Sequence, residues 1–214
     1  MSSGTRKGWA PTRFPTHAAA IERLREWIEV GEGGLDAVGL DFSEADLSGG
    51  DFAESWFTDA NLKNVRLVRA ELYRSDMQGA DLSGADLTEC SLVRVNLDDA
   101  ILRNVTLDGA NLVKASLYDV DAVGAKCRGT QFMGSSLIGV DFRHADLSNS
   151  VFDHNSFRVT LDKETKLEGA LGSVIGPVAL VHEGSSRELG GPELEQWIRS
   201  RGGSIQVVSP ARQG

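Results

Sequence analysis

A large hydrophobe recurs at every fifth residue from Phe42 to Phe157, 24 sites in succession without a slip in register. Fourteen are Leu and seven are Phe, with Met77, Ala122 and Cys127 at the rest. A second comb of small side chains runs two residues upstream, as at Ala45, Ala60, Ala80, Ala85, Val105 and Ala145. Asp or Asn often stands between the combs, as in Ala45-Asp46-Leu47, Ala80-Asp81-Leu82 and Ala110-Asn111-Leu112. Self-similarity at a fixed period marks a solenoid, in which each unit packs only on its neighbours.

A period of five fits neither regular element. Along an α-helix five residues advance about 500°, roughly 140° net, which would smear the comb around the axis. In a flat strand an odd period would alternate faces. The chain must therefore turn once per five residues, with one large and one small side chain inward and three residues outward. Such units stack at the β spacing of about 4.8 Å.

The A(D/N)LXX signature over residues 38–159 resembles the pentapeptide-repeat proteins. That resemblance implies an all-β fold, a right-handed quadrilateral β-helix with four pentapeptides per coil. The comb then makes about six coils, a rod roughly 29 Å long. Residues twenty apart should stack in four inner ladders, running Phe42 to Phe142, Leu47 to Leu147, Phe52 to Phe152 and Phe57 to Phe157. Ala122 and Cys127 thin two ladders in the fifth coil, where Val120 refills part of the gap; we read this as local packing compensation.

Solenoid ends need covers. Residues 1–15, with Pro11 and Pro15, read as an extended or mobile arm carrying Trp9 and Phe14 as possible anchors. Residues 16–34 read as a capping helix that starts at Thr16, turns Ile21, Leu24, Trp27 and Ile28 to one side and stops at Gly31, Gly33 and Gly34. Its apolar side is expected over Phe42 and Phe57. Residues 160–214 form a C-terminal segment. Within it the apolar run Val174–Val181, broken by Pro177, suggests an edge strand or covering loop. A second helix begins at Pro192 and is followed by a short strand, Ser204–Val208. This segment either caps the rod or, as the family resemblance implies, builds a homodimer through Leu194, Trp197, Ile198, Ile205 and Val207.

No stretch approaches the eighteen or so apolar residues of a membrane span, and the charged N-terminus lacks the apolar region of a secretory signal. Cys90 and Cys127 both fall on inward combs about two coils apart, too far for a disulfide. These features point to a reducing cytoplasm.

Function is expected on the outside. The strip with Phe57, Met77 and Leu97 inside carries Asp59, Asp76, Asp98, Asp99 and Asp119 outside, with Arg158 its one basic residue. The adjacent strip stacks Arg74, Arg94 and Lys114 beside an apolar file, Tyr73, Val93, Val113 and Met133, with Tyr118 and Ile138 around the corner. Between residues 41 and 158 there are 19 acidic and 11 basic residues, and the whole chain carries a net charge of −9. Such a surface repels phosphate and argues against direct nucleic-acid binding. It suits mimicry of nucleic acid, which the resemblance to the Qnr and MfpA types implies is directed at DNA gyrase and topoisomerase IV, shielding them from quinolones. The uninterrupted comb departs from Qnr-type members with projecting loops. A plainer source of the acidity is the habitual Asp before the central residue, which supplies nine of the 19 acids. The alternative reading is a general interaction scaffold or a self-protection factor with an unrelated partner. His17, His144, His154 and His182 are scattered, no nucleophile elbow, P-loop or dinucleotide fingerprint occurs, and a flat solenoid side offers no cleft. We therefore expect no enzyme, cofactor or metal site.

Overall fold

From residue 36 to residue 135 each pentapeptide is a turn. In residues 41–45 the Phe42 carbonyl accepts the Ala45 N–H at 3.1 Å, while Glu44 adopts φ 59°. A four-residue turn with a left-handed third residue has the type II pattern. The carboxylate of Asp41 braces it by accepting the Ser43 N–H at 2.8 Å. Asp46, Asn61, Asp81, Asn111 and Asp146 make the same bond to the N–H two residues on. The recurrent Asp or Asn is thus a turn cap, chosen because its short side chain reaches its own backbone.

In the computed structural model, which describes residues 8–208, these turns are joined at a fixed offset of twenty. Parallel bridges link Asp41 to Asn61, Asn61 to Asp81 and Asp81 to Ile101, and the other three pentapeptides of each layer behave alike. The rungs are backbone bonds: Phe42 N–H to Asn61 O at 2.8 Å, Glu44 N–H to Lys63 O at 2.9 Å and Asn61 N–H to Leu40 O at 3.0 Å. Four pentapeptides per layer put side chains twenty apart above one another, so the four expected ladders form a β-helix-like stack. Every comb residue from Phe42 to Phe157 is buried, and burying each Leu or Phe is worth about 1.5–3 kcal/mol. Polar members of the small comb are satisfied inside. Ser75, Thr130 and Ser150 donate to the carbonyls of Phe52, Leu107 and Cys127, each at 2.7 Å.

At the N-terminal end α1 (Ala18–Val30) covers the first layer. It starts one residue later than Thr16 would allow: His17 is the N-cap, makes no side-chain cap bond, and its carbonyl takes the first helical N–H, from Ile21. Trp27 stacks on Phe52 with ring centroids 5.2 Å apart and prolongs that ladder, and Ala20, Leu24 and Trp27 share one buried core with Phe42, Phe52 and Phe57. Gly31 ends the helix in the left-handed region with its N–H on the Trp27 carbonyl. Gly34 is required for a different reason, because a Cβ there would lie 2.1 Å from the Glu54 carbonyl oxygen. The arm is docked over residues 9–15. Trp9 meets Phe52 edge-on at 5.4 Å and donates its indole N–H to Ser48 O, and Thr12 N–H bonds Asp46 O at 3.1 Å. Residues 1–7 lie outside the described residues.

Towards the C-terminus the offset changes. In β1 (Ser136–Asp141) and β2 (Val151–Asp162), Ile138 pairs with Arg158 twenty residues on, but Asp141 pairs with Thr160, nineteen on. Leu161 therefore takes the inward site that a count of five assigns to Asp162. Asp162 instead accepts the N–H groups of His144, Glu164 and Thr165 and restores the register, so that Leu167 is buried in phase. The apolar run around Pro177 is not an edge. It forms two strands, β3 (Leu171–Ile175) and β4 (Val178–His182), which both stack in parallel on β2. Then β5 (Ser185–Leu189) folds back antiparallel on β4 through a two-residue turn, Glu183-Gly184, with both residues at positive φ, the hairpin-favoured type I′ pattern. After α2 (Gly191–Arg199) the chain adds β6 (Ser204–Val208) as a parallel rung on β3.

Candidate functional site

The register divides the outer surface into four strips, named here by their first inner residue. On the Phe42 and Leu47 strips acids and bases pair between layers. Lys63 meets Asp81 at 3.0 Å, Arg66 lies between Asp46 and Asp86 at 3.4 and 3.3 Å, and Arg103 meets Asp121 at 2.6 Å. Arg128–Asp108 and Lys166–Asp146 continue the pattern. Burial raises the carboxyls of Asp46, Asp81 and Asp146, but bonds from Ser48, Ser83 and Ser148 and the neighbouring cations outweigh it, so each is held below its ordinary value. The Ser43 bonds lower Asp41.

The Phe57 strip is built differently. Asp59, Asp76, Asp98, Asp99 and Asp119 all lie along it, as the register requires, and among the described residues none has a cation within ion-pair distance. Their partners are neutral. Asp76 accepts the Gln78 N–H and the Asn96 amide, both at 3.1 Å. Asp98 accepts the Ser116 hydroxyl at 2.6 Å and the Tyr118 N–H at 2.9 Å. Asp59, Asp99 and Asp119 occupy the left-handed turn position, and the glycines at 79 and 139 leave room for the side chains of Asp59 and Asp119 above them. A file of like charges, fixed by short polar contacts and neutralised by nothing nearby, projects a concentrated negative field.

Two large side chains on this strip stand out of the surface, Trp56 at 50% exposure and Tyr118 at 48%. Trp56 was missed in the sequence reading. Its signal was available, because Ser55-Trp56-Phe57 puts an aromatic where the repeat calls for a turn-capping Asp or Asn.

The neighbouring Phe52 strip stacks three cations on successive layers, with Glu71 in the same pentapeptide as the first. Arg74, Arg94 and Lys114 are exposed at successive turn positions with no ion-pair partner among the described residues, and Arg74 lies 5.4 Å from the Tyr73 ring centre. Beside them Tyr73, Val93, Val113 and Met133 form the expected apolar file, half-buried.

Of the residues expected to dimerise, Leu194, Ile198 and Ile205 are buried within their own chain. Trp197 is partly buried under Arg201, whose guanidinium lies 4.2 Å from its ring centre. Val207 donates its N–H to Glu195 at 2.9 Å, so α2 covers part of the outer edge of β6. The physical reason is that the last layer has its own apolar end to cover, and these side chains cover it.

Cys90 and Cys127 are buried free thiols; burial pushes Cys90 up to about 12 and Cys127 up as well, which leaves neither a ready nucleophile. His144 sits 3.3 Å from Asp162 and His154 sits 2.8 Å from Asp153, on separate strips. Among the described residues no His, Cys, Asp or Glu cluster is arranged to hold a metal, and no helix is long and apolar enough to cross a membrane.

Solved structures similar to this chain exist, and the first shares its fold. HetL, a pentapeptide-repeat protein involved in heterocyst differentiation regulation from Nostoc sp. strain PCC 7120, is 21% identical with a TM-score of 0.53, over 71% of this chain and 84% of HetL. Rfr23 from Cyanothece 51142 is 24% identical with a TM-score of 0.44, over 61% of this chain and 89% of Rfr23. QnrB1, a plasmid-mediated fluoroquinolone resistance protein, is 17% identical with a TM-score of 0.34, over 85% of this chain and 95% of QnrB1. No curated protein matches by sequence. Eight copies of the motif described as pentapeptide repeats match this chain between residues 34 and 153, and with more than half of its length so matched the chain belongs to the pentapeptide-repeat family.

Proposed function

We propose that this protein is a non-enzymatic interaction rod whose Phe57 strip, with Asp59, Asp76, Asp98, Asp99 and Asp119 flanked by Trp56 and Tyr118, docks in a basic groove of a protein partner. One observation carries the reading: most acids on the Phe42 and Leu47 strips face a cation one layer away, whereas none of the five on this strip has a cation within ion-pair distance. A rigid file of carboxylates presents to such a groove the charge that a nucleic-acid backbone would present. The exposed Trp and Tyr supply the aromatic anchors that dominate protein interfaces. DNA gyrase, with a groove built for duplex DNA, is the partner proposed, and modulation of gyrase or its protection from quinolones is the activity.

The finer geometry belongs to the same proposal. The layers are inferred to close as right-handed quadrilateral coils, and the protein is inferred to act in the cytoplasm. Self-association, if it forms the homodimer, has Trp197 and the exposed Val208 at its disposal, since the other C-terminal apolar residues are occupied. The test is gyrase supercoiling with purified protein, with and without a quinolone. We expect inhibition or drug protection that weakens as salt rises, because screening shortens to about 8 Å at physiological ionic strength. Activity that is absent, or indifferent to salt and to Trp56→Ala, removes gyrase and favours the scaffold reading with another partner.

A further inference from the structure

Three successive layers of the Phe52 strip, from Arg74 to Lys114, carry a second surface of opposite chemistry, and it goes beyond the acidic docking site. Most cations on the Phe42 and Leu47 strips answer an acid one layer away, as Arg66 answers Asp46 and Asp86. Arg74, Arg94 and Lys114 answer none, although Asp76 follows Arg74 by only two residues. They rise one per layer beside Tyr73, Val93, Val113 and Met133, which also rise one per layer. The pattern offered outward is therefore one apolar contact and one positive charge about every 4.8 Å.

An extended strand shows same-side residues only about every 6.7 Å and would fall out of step within two layers. An α-helix laid along the stack advances about 5.4 Å per turn, so over these four layers it drifts by only about 1.8 Å. Side-chain flexibility absorbs that. From this match of pitch and charge we propose that the strip binds an acidic amphipathic helix of a protein partner, with one apolar residue per turn on the Tyr73–Met133 file and Asp or Glu beside it on Arg74, Arg94 and Lys114. The arrangement is the helix-in-groove mode of recognition laid on a solenoid side. Single-stranded nucleic acid meets the same three cations but brings no aliphatic side chain to the Val93, Val113 and Met133 part of the file.

The test is an unbiased selection on the full-length protein. A displayed library of helices ~18 residues long, long enough to hold helical structure, carries Leu once per turn and Glu, Lys, Gln or Ser freely elsewhere. Pools are selected on the wild-type protein and counter-selected on Arg94→Glu/Val113→Glu. Both changes are expected to fold, since Glu54 already occupies the same turn position on this strip and Asp98 and Asp108 occupy the position of Val113 on others; thermal melting checks this. Enriched peptides should place Glu beside the Leu stripe, lose at least tenfold in affinity for the counter-selecting variant, and bind Asp98→Lys/Asp99→Lys/Asp119→Lys undiminished. The proposal is overturned by an absence of enrichment, by convergence on Lys-rich sequences, by equal binding of a version broken with a central Pro, or by stronger binding of single-stranded DNA. None of these outcomes bears on gyrase, so the two surfaces stand or fall separately.

Discussion

On the Phe42 and Leu47 strips most outward acids face a cation one layer away, while on the Phe57 strip five acids rise along the rod and meet only amides, hydroxyls and N–H groups. Both halves are built on one inner rule, with the same turns, rungs and buried combs. The contrast separates two uses of the same residue type. An Asp before the central residue closes a turn wherever it occurs, and its charge is incidental to that task, since Asn61 and Asn111 do the same. Asp59, Asp98, Asp99 and Asp119 stand at other positions of the repeat and close no turn of their own. Net acidity alone is therefore a poor guide to function in this fold; the informative quantity is acid left unneutralised.

Substitutions can break or sharpen this comparison. The largest effects should ignore it. Leu87→Asp on the paired half and Leu97→Asp on the unpaired half each bury a lone carboxylate at a cost of several kcal/mol, and neither variant should give a folded protein by circular dichroism. Acid should come next and fall on the paired half. Asp41, Asp46, Asp81 and Asp146 are held below their unfolded values, so their stabilisation is present above about pH 4 and is lost as pH falls through the lower folded values. The melting temperature should fall as pH drops below about 4, and Asp81→Asn should flatten that fall because its amide caps the turn without titrating.

Ala122→Leu probes the thinned layer between Leu102 and Phe142. We expect the melting temperature to hold or rise, whereas a loss of several degrees would show a site already filled. The smallest pair sharpens the comparison most. Arg66→Ala should cost about 0.2–1 kcal/mol, as exposed ion pairs do. Asp119→Asn should be neutral or stabilising by a few tenths of a kcal/mol, since Asn suits the left-handed turn and relieves repulsion from Asp99. Equal losses from both would mean that the acidic strip is neutralised by something unseen.

The central stack was legible because its signal is repeated: a five-residue comb admits one solution, and the twenty-residue register then assigns every outward residue. The acidic strip and the Arg74–Lys114 file followed from counting alone. What counting missed has no repeat to announce it. Leu161 replaces Asp162 inside because a residue is dropped and later regained, two slips that cancel and leave Leu167 in phase. The β5 hairpin rests on one Glu183-Gly184 turn, and the docking of Trp9 and Trp27 on Phe52 depends on long-range packing. The sequence left the C-terminal apolar side chains open between a cap and a dimer surface because both uses call for the same apolar helix face; Leu194, Ile198 and Ile205 are buried within their own chain.

The central claim is that unneutralised acid on the Phe57 strip is the contact with the partner. Its most direct test is gyrase supercoiling with two charge-reversed proteins of unchanged melting behaviour, Asp98→Lys/Asp99→Lys/Asp119→Lys and Arg74→Glu/Arg94→Glu. The account predicts that the first loses all effect on gyrase and the second keeps it. Retained activity in the first with loss in the second would contradict it and move the contact to the Tyr73–Met133 strip.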